Sequence, residues 1–310
     1  MKAALEQLTS FTVESIPTLD VAVEGSLDLF ASATLPAVSI PFSKPLVLGS
    51  GNAHLTARIV CRDVSAVFGN ESNYKDLLQT PEQYDGVIIF SASGSKHAVE
   101  MIKEAITKQL PVYMITNNHH SSAAQLLNPR MVLIFPKNRE PYTYNTSTYL
   151  GPIFATTGES AAVIKTFITE VLSVQPLPNF ASYDAVTFII PANLALAAPM
   201  IQTKFDELFG SRLTARVFTD EEIKHAKTVV TNEHELFLSF VSANNYYGDE
   251  QNRVSLPLPL HCDYAGIIAS TYYVVGKIQQ ALPAYFTQNI ADYCQVATEI
   301  FGHEIKPIVE

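Results

Sequence analysis

The chain is poor in cysteine, in charge and in long apolar runs. Cys61, Cys262 and Cys294 are its three cysteines, an odd number with no CxxC pair. Neither a disulfide framework nor a thiolate zinc site is expected, and reduced thiols fit a cytoplasmic location. Charged residues make up 16% of the 310 residues and hydrophobic residues 47%, the reverse of the balance that gives disorder. The formal net charge is −10. No nucleic-acid partner is expected, because a phosphate backbone is bound by clustered Lys and Arg. A small phosphorylated ligand is still compatible, since it needs only local donors. No apolar run approaches the roughly 20 residues of a membrane span. The opening stretch MKAALEQLTSFTVESIPTLD lacks the apolar centre of a signal peptide. GxGxxG and GxxxxGK[ST] are both absent, which excludes the usual dinucleotide and nucleoside-triphosphate loops. No cofactor and no metal are expected.

What is present is an alternation of strand-like and helix-like segments. After an irregular or helical lead-in over 1–40, Pro45–Leu48 reads as a strand, followed by a tight turn and a helix over His54–Phe68. Gly86–Phe90, Val112–Ile115 and Met131–Phe135 are apolar and β-rich, as central parallel strands are. A helix over His97–Lys108 and a short one over Ser122–Leu127 separate them. A helical segment over Ser147–Leu172 contains two places where it can break, Gly151-Pro152 and Gly158, and 174–179 reads as a linker. The cycle then restarts: strand 185–190, helix 194–208, extended 215–218, strand 236–240, and a mostly helical stretch from Tyr264. The pattern predicts an α/β protein of two doubly wound parallel sheets flanked by helices, with extra C-terminal helices. The expected domains are 41–175 and 176–310.

Ligands of such sheets bind beyond the carboxyl ends of the strands. Three small polar loops lie there: Gly49-Ser50-Gly51-Asn52, Ser91-Ala92-Ser93-Gly94-Ser95-Lys96 and Thr116-Asn117-Asn118. Each precedes a predicted helix, whose first amides carry partial positive charge. Serine hydroxyls can donate to phosphate oxygens, Gly94 permits close backbone approach, and Lys96 adds a charge. Capping alone explains any one such loop, but three on one sheet edge point to an anion.

These residues resemble the sugar isomerase (SIS) domain. The carriers of the resemblance are the GxG turn in Leu46–Asn52, D-x-V-I-x-x-S-x-S-G in Asp85–Ser95, and Ile115-Thr116. The likeness covers about 45–170, and 183–300 is similar to a second, degenerate SIS domain. The resemblance implies a phosphosugar ligand, gripped by Ser91, Ser93, Gly94 and Ser95, with Gly51, Asn52 and Thr116 beside them. Lys96 stands where the family has Thr or Ser, and Asn52-Ala53 where it often has a Ser. Glu140–Tyr149 resembles a family stretch that would turn Ser147 and Thr148 toward the sugar.

Moving a proton between neighbouring carbons through an enediol requires a carboxylate base, and usually a His for ring opening. By resemblance the base is Glu207, late in a predicted helix, and the His is His225. His225 lies in Asp220–His225, similar to the family's E-x-K-H-G-P, although Ala226-Lys227 replaces the Gly-Pro. Glu222 is the alternative base. By composition alone, Glu207 is as readily a solvated helix residue, and 219–224 a capped helix start. His119-His120 reads as an exposed loop pair, and His261-Cys262-Asp263 lacks convergent metal partners. The function implied is an isomerase, or a deaminase or deglycase, acting on a ketose or aldose 6-phosphate or its amine adduct. A non-catalytic sugar-phosphate-binding protein is the alternative. Family precedent implies a homodimer with the site near the interface.

Overall fold

A computed structural model describes residues 4–241, 243–282, 285–302 and 304–310, with backbone alone at residue 285. Helices α1 (Ala4–Ser10) and α2 (Leu19–Ser32) come first. A βα run follows: β1 (Pro45–Gly49), α3 (Asn52–Val60), β2 (Val67–Gly69), α4 (Tyr74–Leu77), β3 (Gly86–Phe90), α5 (His97–Thr107), β4 (Val112–Thr116) and β5 (Val132–Ile134). Strand β6 (Glu140–Pro141), α6 (Thr146–Thr157) and α7 (Ala161–Phe167) lead into a π-helical turn, Ile168–Leu172. The second run is β7 (Ala185–Ile190), α8 (Ala198–Phe209), β8 (Thr214–Thr219), β9 (Glu235–Ser239) and β10 (Arg253–Ser255). Helices α9 (Tyr264–Ala281) and α10 (Tyr285–Phe301) precede the last strand, β11 (Ile308–Val309).

The chain forms two compact units that are interleaved in sequence. The first comprises Ala33–Lys137 and Thr148–Gly158; the second comprises 4–32, Asn138–Ser147 and Glu159–Glu310. These units are defined by packing, whereas the division expected at 40/41 and 175/176 follows the repeat of the βα pattern.

In the first unit five parallel strands lie in the order β2-β1-β3-β4-β5. Strands β1, β3 and β4 are buried at every position, which explains why their sequences are continuously apolar rather than alternating. Leu46, Leu48, Val87 and Ile89 pack with Met101, Ile102 and Ala105 of α5. The helix expected over His54–Phe68 stops at Val60, and Val67–Gly69 pairs with β1 as an edge strand. The valines at 64 and 67 continue the helical spacing, but β-branched residues are equally at home in a strand, and pairing with Leu46–Leu48 decides the contest. The short helix expected at Ser122–Leu127 is a single 3₁₀ turn, Ala124–Leu126.

In the second unit β10-β9-β7-β8 form a parallel sheet, and β11 pairs antiparallel with β6. Of the two candidate breaks, only Gly158 interrupts the helix: it takes φ +69° and separates α6 from α7, whereas α6 runs on through Gly151-Pro152. Helix α9 is buried on all sides. Its N-terminus is capped by two carboxylates. Asp263 accepts from the Tyr264 amide, and Glu159 accepts from the amides of Asp263, Ala265 and Gly266 at 2.8–3.0 Å. At the other end, Gly276 lets α2 approach so closely that a Cβ there would lie 2.1 Å from the Asp20 nitrogen. Buried Asp20 accepts from Thr18 Oγ1, Lys277 Nζ and Gln280 Nε2 at 2.6–2.7 Å, as a buried carboxylate must.

Candidate functional site

The order β2-β1-β3-β4-β5 reverses direction between β1 and β3, the place where a doubly wound sheet opens a crevice beyond its strands' carboxyl ends. The two loops leaving these strands are Ser50-Gly51 and Ser91–Lys96. Gly51 adopts φ +52° as the N-cap of α3, and a Cβ there would meet nothing within 4 Å. Asn52 is buried, and its Oδ1 has no hydrogen-bond partner among the described residues.

The serine loop is closed from within. Ser91 Oγ accepts from the Gly94 amide at 3.2 Å, and Gly94 adopts φ +59°. Any side chain at 94 would collide with Ser121, whose Oγ lies 2.2 Å from the Cβ position. Ser93 and Ser95 are exposed, with their hydroxyls 2.8 Å apart. Lys96, at φ +39°, is the N-cap of α5 and is exposed. The third polar loop braces the second. Thr116 is buried, donates to the Ala92 carbonyl at 3.1 Å and accepts from the Asn118 amide; Asn118 Nδ2 donates to the Ser93 carbonyl at 3.3 Å. Thr116 thus supports the loop from beneath. Two hydroxyls, a lysine and the start of an 11-residue helix together present donors and positive potential, the requirement of a phosphate site.

Glu207 lies in the second unit, in the last turn of α8, and lines a cavity of about 430 Å³. The sequence reading overlooked its partner. Lys204, one turn earlier, is 1% exposed; its ammonium donates to Glu207 Oε2 at 2.7 Å and to the Thr143 carbonyl, 5.5 Å from the Tyr272 ring centre. A lysine three residues before a carboxylate on one helix, KFDE, was the available signal. Asp206, Phe286 and Tyr293 also line this cavity.

Other expected residues are placed as follows. Ser147 is fully buried in the second unit; its hydroxyl donates to Glu140 Oε1 at 2.5 Å and accepts from the Asn138 amide at 2.8 Å. Glu140 also accepts from the Thr146 and Ser147 amides and thereby caps α6. Burial pushes the Glu140 carboxyl above its ordinary range, against the opposing pull of these hydrogen bonds. Thr148 is buried in the first unit. Glu222 closes a capping box with Thr219: its carboxylate accepts from the Thr219 amide at 3.0 Å while its own amide donates to Thr219 Oγ1 at 3.1 Å. His225 ends that 3₁₀ turn and is exposed. His119 and His120 are exposed, with rings in edge contact. Among the described residues, no group of three or more His, Cys, Asp or Glu could hold a metal ion, and no helix is long and apolar enough to cross a membrane.

No protein-family model matches the chain, nor does any curated protein. Solved structures do. The C-terminal domain of glucosamine-fructose-6-phosphate aminotransferase from Francisella tularensis superimposes with a TM-score of 0.57 at 12% identity, covering 90% of this chain and 96% of that one. Glucosamine-6-phosphate deaminase from Thermotoga maritima gives 0.56 at 14% identity, over 90% and 94%. Tagatose-6-phosphate ketose/aldose isomerase from Escherichia coli gives 0.52 at 13% identity, over 90% and 88%. Two parallel sheets flanked by helices, matched along nine-tenths of the chain, make this a protein of the double SIS-type fold.

Proposed function

We propose that the protein is an enzyme that binds a ketose or aldose 6-phosphate, or its amine adduct, and moves a proton through an enediol-type intermediate. The reading covers isomerases and deaminases or deglycases alike, because both begin with the same enolisation. The observation that carries it is the Ser91–Lys96 loop at the β1/β3 switch point, with exposed Ser93 and Ser95 hydroxyls before α5. Ser91, Gly94, Gly51, Asn52 and Thr116 shape and brace that cradle. Glu207 is the proposed base, and the Lys204 ammonium fixes its carboxylate in place. Ring opening is assigned to His225. Assembly as a cytoplasmic homodimer belongs to the same reading.

A thermal-shift panel of fructose 6-phosphate, glucosamine 6-phosphate and unphosphorylated fructose tests it. A ligand at about 100 times its dissociation constant stabilises the folded state by roughly 2.7 kcal/mol. The phosphates should raise the melting temperature, fructose should not, and Ser93→Ala should shrink the shift. No shift with any phosphosugar would sink the proposal.

A second reading is binding without turnover. It draws on the exposure of His225 and on the Ala226-Lys227 that follows it, where Lys227 adopts φ +59°. Calorimetric binding of a phosphosugar with no conversion over hours supports that alternative; conversion abolished by Glu207→Gln in a folded variant excludes it.

A further inference from the structure

Within the first unit, the loop after β4 grips the serine loop on both sides of a histidine pair. Before the pair, the Asn117 amide donates to the Ala92 carbonyl at 3.3 Å and Asn118 Nδ2 to the Ser93 carbonyl at 3.3 Å. After it, Ser122 Oγ and the Ala123 amide donate to the Gly94 carbonyl at 3.4 and 3.0 Å. His119 and His120 lie between these anchors, neither more than about 7 Å of chain from Asn118. The turn is held by backbone: the His120 amide donates to Asn118 Oδ1 at 3.0 Å, and its carbonyl accepts from Gln125 Nε2 at 3.4 Å. The imidazoles are exposed, with ring centres 5.0 Å apart, and so are the Ser93 and Ser95 hydroxyls. Neither loop contains an Asp or Glu to claim the imidazoles. Elsewhere on this sheet edge, Glu100 is 3.9 Å from His97, His54 Nδ1 is 2.9 Å from the Gly69 carbonyl, and Lys96 caps α5. Glu71 follows the edge strand β2, and Lys137 follows β5. An imidazole titrates near pH 6.5, and an anion beside it favours the charged form.

We propose that His119 and His120 complete the phosphate cradle, donating to the bound phosphate as imidazolium groups. Resting on the reading that the serine loop holds a sugar phosphate, this assigns the loop a ligand bound with proton uptake. As pH falls from about 8 the imidazoles gain charge and affinity rises; below about 6 the phosphate takes its second proton and affinity falls again.

Calorimetry of fructose 6-phosphate and glucose 6-phosphate, run in buffers of different ionisation enthalpy, counts the protons exchanged. A phosphate held as its dianion can only release protons, so net uptake reports the imidazoles. The unaltered protein should take up protons between about pH 7 and 8 and bind about tenfold tighter at pH 6.5 than at pH 8.5. The double variant His119→Gln, His120→Gln changes exposed side chains only and should fold. It should bind without uptake, with affinities at the two pH values within about twofold of each other. Ser93→Ala should weaken binding at both pH values and keep the uptake. Binding without uptake in the unaltered protein, or uptake that persists in the double variant, overturns the assignment while the phosphate reading stands. If neither compound binds at any pH, both proposals fall together.

Discussion

At the scale of single residues, the Lys204–Glu207 pair has an asymmetry that can be measured. The ammonium is the deeply buried member, at 1% exposure against 24% for the Glu207 side chain. Removing the carboxylate strands a buried charge, which costs about 3–5 kcal/mol when one partner of a buried pair is lost. Removing the ammonium leaves a carboxylate that water can reach. Urea unfolding should therefore show Glu207→Gln to be more destabilising than Lys204→Met, with the double variant close to Lys204→Met; equal losses would contradict this. Glu140 gives a pH dependence. Its carboxyl is raised above the ordinary value of 4.5 by burial. The folded state thus keeps a proton that the unfolded chain has released, and stability declines as pH rises from about 4.5 toward the raised value, then levels. Glu140→Gln should flatten that slope in denaturant midpoints measured across pH. Little of this was legible beforehand. Glu207 was singled out by resemblance alone, and nothing local marks Lys204 as buried, because burial of a lysine depends on distant packing from Tyr272 and Thr143.

At the scale of elements, Gly276 sets the approach of α9 to α2. Alanine in a helix is favoured over glycine by about 1 kcal/mol. The new methyl would meet backbone of Asp20 at 2.1 Å, and overpacking typically costs about 1–3 kcal/mol or more. Backbone cannot swing aside as a side-chain tip can, so the second effect wins. Gly276→Ala should lower the unfolding free energy by about 2 kcal/mol, read from denaturant curves; a stabilised variant would refute the close approach. Strand–helix alternation was clear in the sequence wherever strands were buried on both faces, as in β1, β3, β4 and β7. It failed at the edges. Val67–Gly69, three residues long, and the two-residue strands β6 and β11 are specified by their pairing partners rather than by any period of their own. The serine loop was legible as a turn before a helix. Its bracing by Thr116 and Asn118 was not, because those bonds join residues 24 and 25 positions apart in the chain.

At the scale of the whole molecule, both sheets have the βα order that the alternation implied, and nine-tenths of the chain follows the path of the phosphosugar isomerase and deaminase structures. What no periodicity encodes is which segments pack together. The peptide α7 illustrates the point: Ile164, Ile168 and Leu172 of that stretch are buried, and α2, more than a hundred residues earlier, is a principal partner. A fragment cut at 41 and 175 would carry this apolar face without α2. It should elute as aggregate in size-exclusion chromatography, whereas the intact chain unfolds cooperatively; a monomeric, cooperatively unfolding fragment would refute the claim. The interleaving of 138–147 and 148–158 between the two units has a further consequence. Neither unit corresponds to one uninterrupted stretch of coding sequence. A contiguous transplant of 33–158 into another protein would move the first unit whole but carry residues 138–147 of the second with it, so neither half of this fold can be exchanged cleanly without the other losing or donating residues.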